Sequence, residues 1–126
     1  MTALVLLLPG CATAPGVVAP AAVPAQYANV PLFEPGGKIT APKLTQRVAP
    51  IAPPDFRAER QMASAVAEIV IDQQGNVVDA WYVDGDRRWA DIFITAMRQW
   101  KFEPATLNGQ PIMVRSRMTS SFRNNM

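Results

Sequence analysis

The second half of the sequence predicts an α+β fold, in which a small antiparallel three-stranded sheet carries one or two helices on one face. Three observations lead to this prediction. Two segments rich in β-branched residues flank a glycine-containing turn, an amphipathic pattern with helical spacing follows, and the last segment alternates between apolar and polar residues. These patterns indicate a β-hairpin, a helix and a closing strand, in that order.

The hairpin is predicted over residues 63–83. Its first strand, residues 63–71, contains mainly small and β-branched residues, and its second, residues 77–83, carries two aromatic side chains. The turn between the strands reads Asp-Gln-Gln-Gly, and we expect Gly75 to occupy a position with positive φ. A short helix capped by Asp55 is predicted to precede the hairpin.

The main helix is indicated by apolar residues at i, i+3, i+4, i+7, i+8 and i+11, a spacing that places them on one face. They are Trp89, Ile92, Phe93, Ala96, Met97 and Trp100. The helix must end before Pro104, because proline disfavours the helical conformation of the residue that precedes it. We interpret the aromatic residues on this face as hydrophobic core rather than as a ligand-binding cage.

The closing strand begins after a predicted Asn108–Gly109 turn, where glycine permits the reversal of the chain. Residues of this strand alternate between two faces. One face carries Ile112, Val114, Ser116, Met118, Ser120 and Phe122. The other face carries Met113, Arg115, Arg117, Thr119 and Ser121. We expect the first face to pack on the helix and the second to meet solvent or a partner.

The composition argues against several classes of function. Lys and Arg together number 12 against 10 Asp and Glu, without a block of like charge, so we predict no nucleic-acid binding. The sequence has no His and a single Cys, which removes the commonest general base and the commonest zinc ligand. We therefore predict no catalytic residue, no cofactor and no metal site.

An alternative of a different class is a small enzyme or ligand carrier that uses carboxylates near the ends of the hairpin. These are Asp72, Asp79, Asp84, Asp86 and Asp91. Such a group could serve acid–base chemistry or bind a cation. Because turns and strand ends favour Asp for local hydrogen bonding, we interpret these residues as structural.

The N-terminal part of the chain differs in composition from the rest. Nine of the twelve prolines lie between Pro15 and Pro54, and residues 12–52 are predicted to form a Pro/Ala-rich linker. Residues 1–11 contain a short apolar run that ends in Leu-Pro-Gly-Cys, which resembles the lipobox of bacterial lipoproteins. That resemblance implies a signal segment and acylation of Cys11. The alternative is an apolar N-terminus with an incidental cysteine.

The motif order of the second half resembles the TonB C-terminal domain, from about Pro50 to Phe122, and we assign that domain to residues 53–126. The resemblance rests on the Asp-x-x-Gly-x-Val turn, the run Trp-Lys-Phe-Glu-Pro-Ala and the run Asn-Gly-Gln-Pro. The structural residues of these motifs are Gly75, Trp100, Phe102, Pro104 and Gly109.

The resemblance implies a non-catalytic module in the periplasm that binds cell-envelope proteins, such as outer-membrane transporters, by strand addition. By position, the partner-binding strand comprises Ile112, Met113, Val114, Arg115, Ser116, Arg117, Met118, Thr119 and Ser120. The lipobox resemblance, with Ala12 directly after the acylated Cys11, implies an anchor in the outer membrane of a Gram-negative cell envelope. An open sheet edge also allows a homodimer.

A second functional hypothesis is a complete TonB energy transducer for outer-membrane uptake whose N-terminus is mis-annotated. Energy transducers of the family carry an N-terminal transmembrane helix with a functional His. The sequence shows neither an apolar run of about 20 residues, the length that crosses a bilayer, nor any His.

Overall fold

The computed structural model describes residues 23–124, so the predicted signal segment and Cys11 lie outside the described residues. A 3-10 turn over Ala25–Tyr27 precedes the regular elements. In chain order these are β1 (Ile39–Thr40), β2 (Lys43–Gln46), α1 (Pro54–Glu59), β3 (Met62–Ile71), β4 (Val77–Gly85), α2 (Arg87–Met97), β5 (Lys101–Glu103), β6 (Thr106–Leu107), β7 (Gln110–Pro111) and β8 (Val114–Arg123).

The main sheet is antiparallel and has the strand order β4-β3-β8, which confirms the predicted three-stranded sheet and the α+β class. The register of β8 on β3 is regular from the Met62–Arg123 pair to the Ile71–Val114 pair. Two smaller antiparallel sheets, β1-β6-β7 and β2-β5, lie beside it. The hairpin and the closing strand therefore form as the sequence patterns predict.

The hydrophobic core consists of two clusters on the helix side of the main sheet. The larger cluster packs α2 on β3, and its buried aromatic residues are Phe93, Trp100 and Phe102. The smaller cluster joins α1 to the other end of α2 through Phe56 and Trp89, and the half-buried Phe122 packs against both rings. Burial of one such side chain contributes about 1.5–3 kcal/mol. The predicted role of the aromatic residues as core is confirmed.

The β3–β4 turn contains Gly75 at φ 86°, as predicted from its position in the turn. The Asp72 carboxylate accepts hydrogen bonds from the backbone N–H groups of Gln74 and Asn76, both at 2.9 Å. Gly75 is buried and its carbonyl accepts a hydrogen bond from the Phe102 N–H at 2.9 Å. The turn thus supports the start of β5 as well as the hairpin.

Helix α2 begins where Asp86 caps its N-terminus, since the Asp86 carboxylate accepts a 2.9 Å hydrogen bond from the Trp89 N–H. It ends at Met97, earlier than the predicted pattern, and Trp100 lies beyond the helix. Beyond Met97 the hydrogen bonds join residues three apart, as in a 3-10 helix: the Gln99 N–H donates to the Ala96 carbonyl and the Trp100 N–H donates to the Met97 carbonyl. Pro104 is therefore not the residue that stops the helix.

The first helix also differs from its prediction. Pro53 occupies the N-cap position of α1 and provides no side-chain hydrogen bond, and Asp55 lies in the first turn rather than at the cap. The Asp55 carboxylate pairs with the Arg88 guanidinium of α2, which also contacts Glu59 at 2.9 Å. This exposed charged group joins the two helices.

The β6–β7 turn is formed by Asn108 and Gly109, with φ values of 52° and 80°. Two consecutive positive φ values are those of the two-residue turn that Asn-Gly favours in hairpins. The predicted role of Gly109 in reversing the chain is confirmed.

The prediction that residues 12–52 form a linker outside the fold requires correction in its described part. Strand β1 pairs with β6 and strand β2 pairs with β5, so residues 39–46 belong to the folded unit. The Trp100 indole N–H donates to the Val48 carbonyl at 2.7 Å. Two strands of two and four residues are too short to produce a periodic apolar pattern, and the surrounding prolines conceal them in the sequence.

Candidate protein-binding edge

Strand β8 lies at one side of the main sheet, with β3 as its neighbour, and presents its other side outward. The predicted partner-binding strand 112–120 coincides with most of β8, except that Ile112 and Met113 precede it. Its two faces divide as predicted. Val114 and Ser116 are buried, Met118 and Ser120 are half-buried, and the alternate residues from Arg117 onward are exposed.

The backbone of β8 also divides into two sets of hydrogen-bonding groups. In an antiparallel pair, alternate residues direct both N–H and C=O toward the neighbouring strand, and the others direct both away. The N–H of Asn124 donates to the Gln61 carbonyl at 2.8 Å, so even-numbered residues face β3. The N–H and C=O groups of Arg115, Arg117, Thr119 and Ser121 therefore point away from the sheet.

The outward backbone groups of Arg115 are already paired with another segment of the same chain. The Arg115 N–H donates to the Pro31 carbonyl at 2.8 Å, and the Arg115 carbonyl accepts from the Phe33 N–H at 2.8 Å. Leu32 and Arg115 form a parallel β-bridge. Sequence reasoning missed this contact, because it assigned residue 32 to the linker.

The remaining part of the edge is open within residues 23–124. No other described segment pairs with the outward backbone groups of Arg117, Thr119 and Ser121, and all three residues are exposed. Unpaired N–H and C=O groups in a row are a template for the addition of another strand. The structure thus brings part of the predicted partner-binding strand into a position where backbone pairing can occur.

A charged group lies on the sheet face opposite the helices. Glu68 is 1% exposed and accepts hydrogen bonds from Arg115 at 2.5 Å and from Arg117 at 3.1 Å. Arg115 also donates through Nε to the Val30 carbonyl at 2.9 Å. Sequence reasoning placed both arginines on this face but missed their partner. A Glu within a mostly apolar strand was the available signal.

The carboxylates considered for catalysis or cation binding have local structural contacts. Asp72 supports the hairpin turn, and Asp79 accepts from the Ala80 N–H at 2.8 Å. Asp86 caps α2 and binds Arg60 at 2.9 Å. The Trp89 amide and the Arg60 guanidinium hold the pKa of Asp86 below its usual range, despite the opposing effect of burial.

The two other carboxylates of that set, Asp84 and Asp91, are exposed, and Asp91 lies 4.0 Å from the Arg87 guanidinium. Across residues 23–124, no group of three or more His, Cys, Asp or Glu side chains is placed to hold a metal ion. None of the helices in that range is both long enough and apolar enough to cross a membrane.

The fold is similar to that of the TonB C-terminal domain of Pseudomonas aeruginosa, a solution NMR structure, with a TM-score of 0.56 and 19% sequence identity. The similarity covers 73% of this chain and 92% of that one. No family model matches the sequence, and no curated protein matches it. At this identity the similarity establishes the fold, and it confirms the TonB-like fold expected from the sequence motifs.

Proposed function

We propose that this chain is a non-catalytic, TonB-like binding module in the periplasm of a Gram-negative cell envelope. In this proposal it binds an envelope protein, such as an outer-membrane transporter, by adding an extended segment of that protein to β8. The observation that carries the proposal is the open edge of β8 at Arg117, Thr119 and Ser121 in a TonB-like fold. Main-chain hydrogen bonds would supply the affinity, and side-chain contacts would supply the specificity.

Thr119 is the best position at which to test strand addition. Its N–H points outward, it is exposed, and its side chain makes no hydrogen bond or ion pair with any of residues 23–124. Arg115 is less suitable because it also binds the buried Glu68, so a change there would alter stability. Proline is tolerated on an edge strand where the N–H faces solvent, but it removes the donor that an added strand requires.

Thr119→Pro is expected to reduce partner capture about tenfold or more while the domain stays folded. A photo-crosslinking amino acid in place of Arg123 would capture the partner in intact cells, and mass spectrometry would identify the joined segment. Thr119→Val keeps the N–H and the shape, and is the matched control. Capture that is equal in the proline and valine variants would contradict strand addition. Sedimentation of the purified chain would show whether a second copy takes the edge.

We also propose that the chain is anchored to the outer membrane by acylation of Cys11, which lies outside the described residues. Each buried CH₂ of an acyl chain contributes about 0.8 kcal/mol, so several chains hold a protein firmly at a membrane. Labelled palmitate is expected to enter the wild-type chain, and Cys11→Ser is expected to abolish the label and release the chain from membranes. Label that survives the substitution would refute the anchor.

A further inference from the structure

The segment that precedes β1 crosses the sheet face opposite the helices and ends at the edge of β8. Tyr27 stacks on Trp81 of β4, with ring centroids 5.8 Å apart and an interplanar angle of 22°. Farther along the segment, the Val30 carbonyl accepts the hydrogen bond from Arg115 Nε. The segment then forms the parallel bridge between Leu32 and Arg115. Residues 30–33, called here the latch segment, therefore occupy one end of the candidate binding edge.

Proline restricts this pairing to a single bridge. In a parallel pair, a residue bonds through its N–H to one position of the neighbouring strand and through its C=O to the position two residues farther on, as Arg115 does with Pro31 and Phe33. The next outward residue, Arg117, would need an N–H from Pro35, which has none. In the other direction, Met113 would need an N–H from Pro31, which also has none.

The latch segment also depends on anchors away from the edge. The stacked pair of Tyr27 and Trp81 holds it on the sheet face, and Phe33 packs against the larger core cluster. On the same sheet face as Trp81 and Arg115, Val70 and Glu68 are both buried although neither belongs to a core cluster on the helix side. Residues 27–33 thus lie across this face. The latch segment contributes only two backbone hydrogen bonds to the edge, both with Arg115.

We propose that the latch segment competes with a partner for the edge of β8, so that a partner which pairs as far as Arg115 must first displace it. This inference rests on the proposed function. A partner that pairs only along Arg117 to Ser121 would coexist with the latch segment, because Pro35 leaves those positions open. The apparent affinity of the longer partner is proportional to the fraction of chains in which the latch segment is displaced, so it falls as the latch segment becomes more stable.

The test uses a probe of defined sequence with the full chain. The probe is a fluorescein-labelled peptide copy of residues 29–35 in which alanine replaces both prolines, so that it can make the hydrogen bonds that the latch segment cannot. Binding is measured by fluorescence anisotropy. Tyr27→Ala removes the stacked anchor, and Pro35→Ala supplies the missing donor opposite Arg117. Pro54→Ala is a matched proline substitution at the start of α1, a helix that pairs with none of the outward backbone groups of β8 within residues 23–124.

Tyr27→Ala is expected to tighten probe binding about two- to tenfold, because loss of a stacked aromatic pair favours displacement of the latch segment. Pro35→Ala is expected to weaken binding about two- to tenfold, because the N–H gained at position 35 can donate to the Arg117 carbonyl and hold the latch segment in place. Pro54→Ala is expected to match the wild type. Amide exchange at Arg115 is measured in parallel, and it should become faster in Tyr27→Ala and slower in Pro35→Ala.

The results separate failure of this inference from failure of the proposed function. The four chains are the wild type and the three variants. If all four bind the probe with equal affinity, and a photo-crosslinking amino acid in place of Arg123 captures the probe, the latch would be overturned and strand addition would stand. Slow exchange of the Arg115 amide that Tyr27→Ala does not change would also overturn the latch. Absence of probe binding in every chain, with faster Arg115 exchange in Tyr27→Ala, would overturn strand addition at this edge and with it the competition.

Discussion

Gly75→Ala is expected to lower the free energy of unfolding by about 3 kcal/mol or more, from steric overlap combined with an unfavourable φ. A Cβ at this position would lie 1.8 Å from the Phe102 carbonyl oxygen, which is backbone and cannot rotate away. Relief would require separation of the β3–β4 turn from β5, where the Phe102 N–H donates to Gly75. Small domains have about 5–15 kcal/mol of stability in total, so the loss would be severe.

Gly109→Ala is the matched control for this prediction. Gly109 has a φ of 80°, close to the 86° of Gly75, but no heavy atom lies within 4 Å of the Cβ that would be added. Its cost should therefore be only that of the left-handed conformation, about 1–2 kcal/mol. Urea denaturation followed by tryptophan fluorescence measures both. Equal losses in the two variants would show that contact with Phe102 does not determine the requirement for glycine at position 75.

The two glycines also illustrate which parts of the fold could be predicted from the sequence. Gly75 and Gly109 stand in turn motifs whose backbone requirements are local, so the sequence was sufficient to predict the positive φ of Gly75 and the chain reversal at Gly109. The end of α2 was predicted too late because Trp100 continues the apolar spacing. In the structure Trp100 reaches the same cluster from outside the helix, and its indole N–H binds the Val48 carbonyl. Tertiary contacts of this kind leave no periodic signal.

The candidate edge was predictable only in part. Alternation in residues 112–122 predicted the two faces of the strand, but not which neighbour would pair with its backbone. The contact of Leu32 with Arg115 joins positions far apart in sequence, and its hydrogen bonds come from backbone groups that every residue other than proline possesses. Pro31 and Pro35 are the residues of this segment whose identity limits the pairing, because they lack an N–H. Their effect can be recognised only when the register between this segment and β8 is known.

Arg115→Met is expected to lower the free energy of unfolding by about 3–5 kcal/mol, because it leaves the buried Glu68 carboxylate without its closer partner. Glu68 is 1% exposed and the Arg115 side chain is 14% exposed, so water cannot replace the lost contact. Arg117 binds the same carboxylate, but its side chain is 48% exposed. Arg117→Met should therefore cost only about 0–1 kcal/mol, the usual range for a solvent-exposed ion pair.

The double substitution Glu68→Met with Arg115→Met distinguishes the value of the ion pair from the cost of leaving one charge alone. Replacement of a whole buried pair by apolar residues of similar size is often neutral or stabilising. We therefore expect the double variant to recover most of the stability lost in Arg115→Met. A thermodynamic cycle with both single variants, measured by urea denaturation, gives the coupling energy. A double variant as unstable as the sum of the single variants would mean that Arg115 acts mainly through Val30 and the edge, rather than through Glu68.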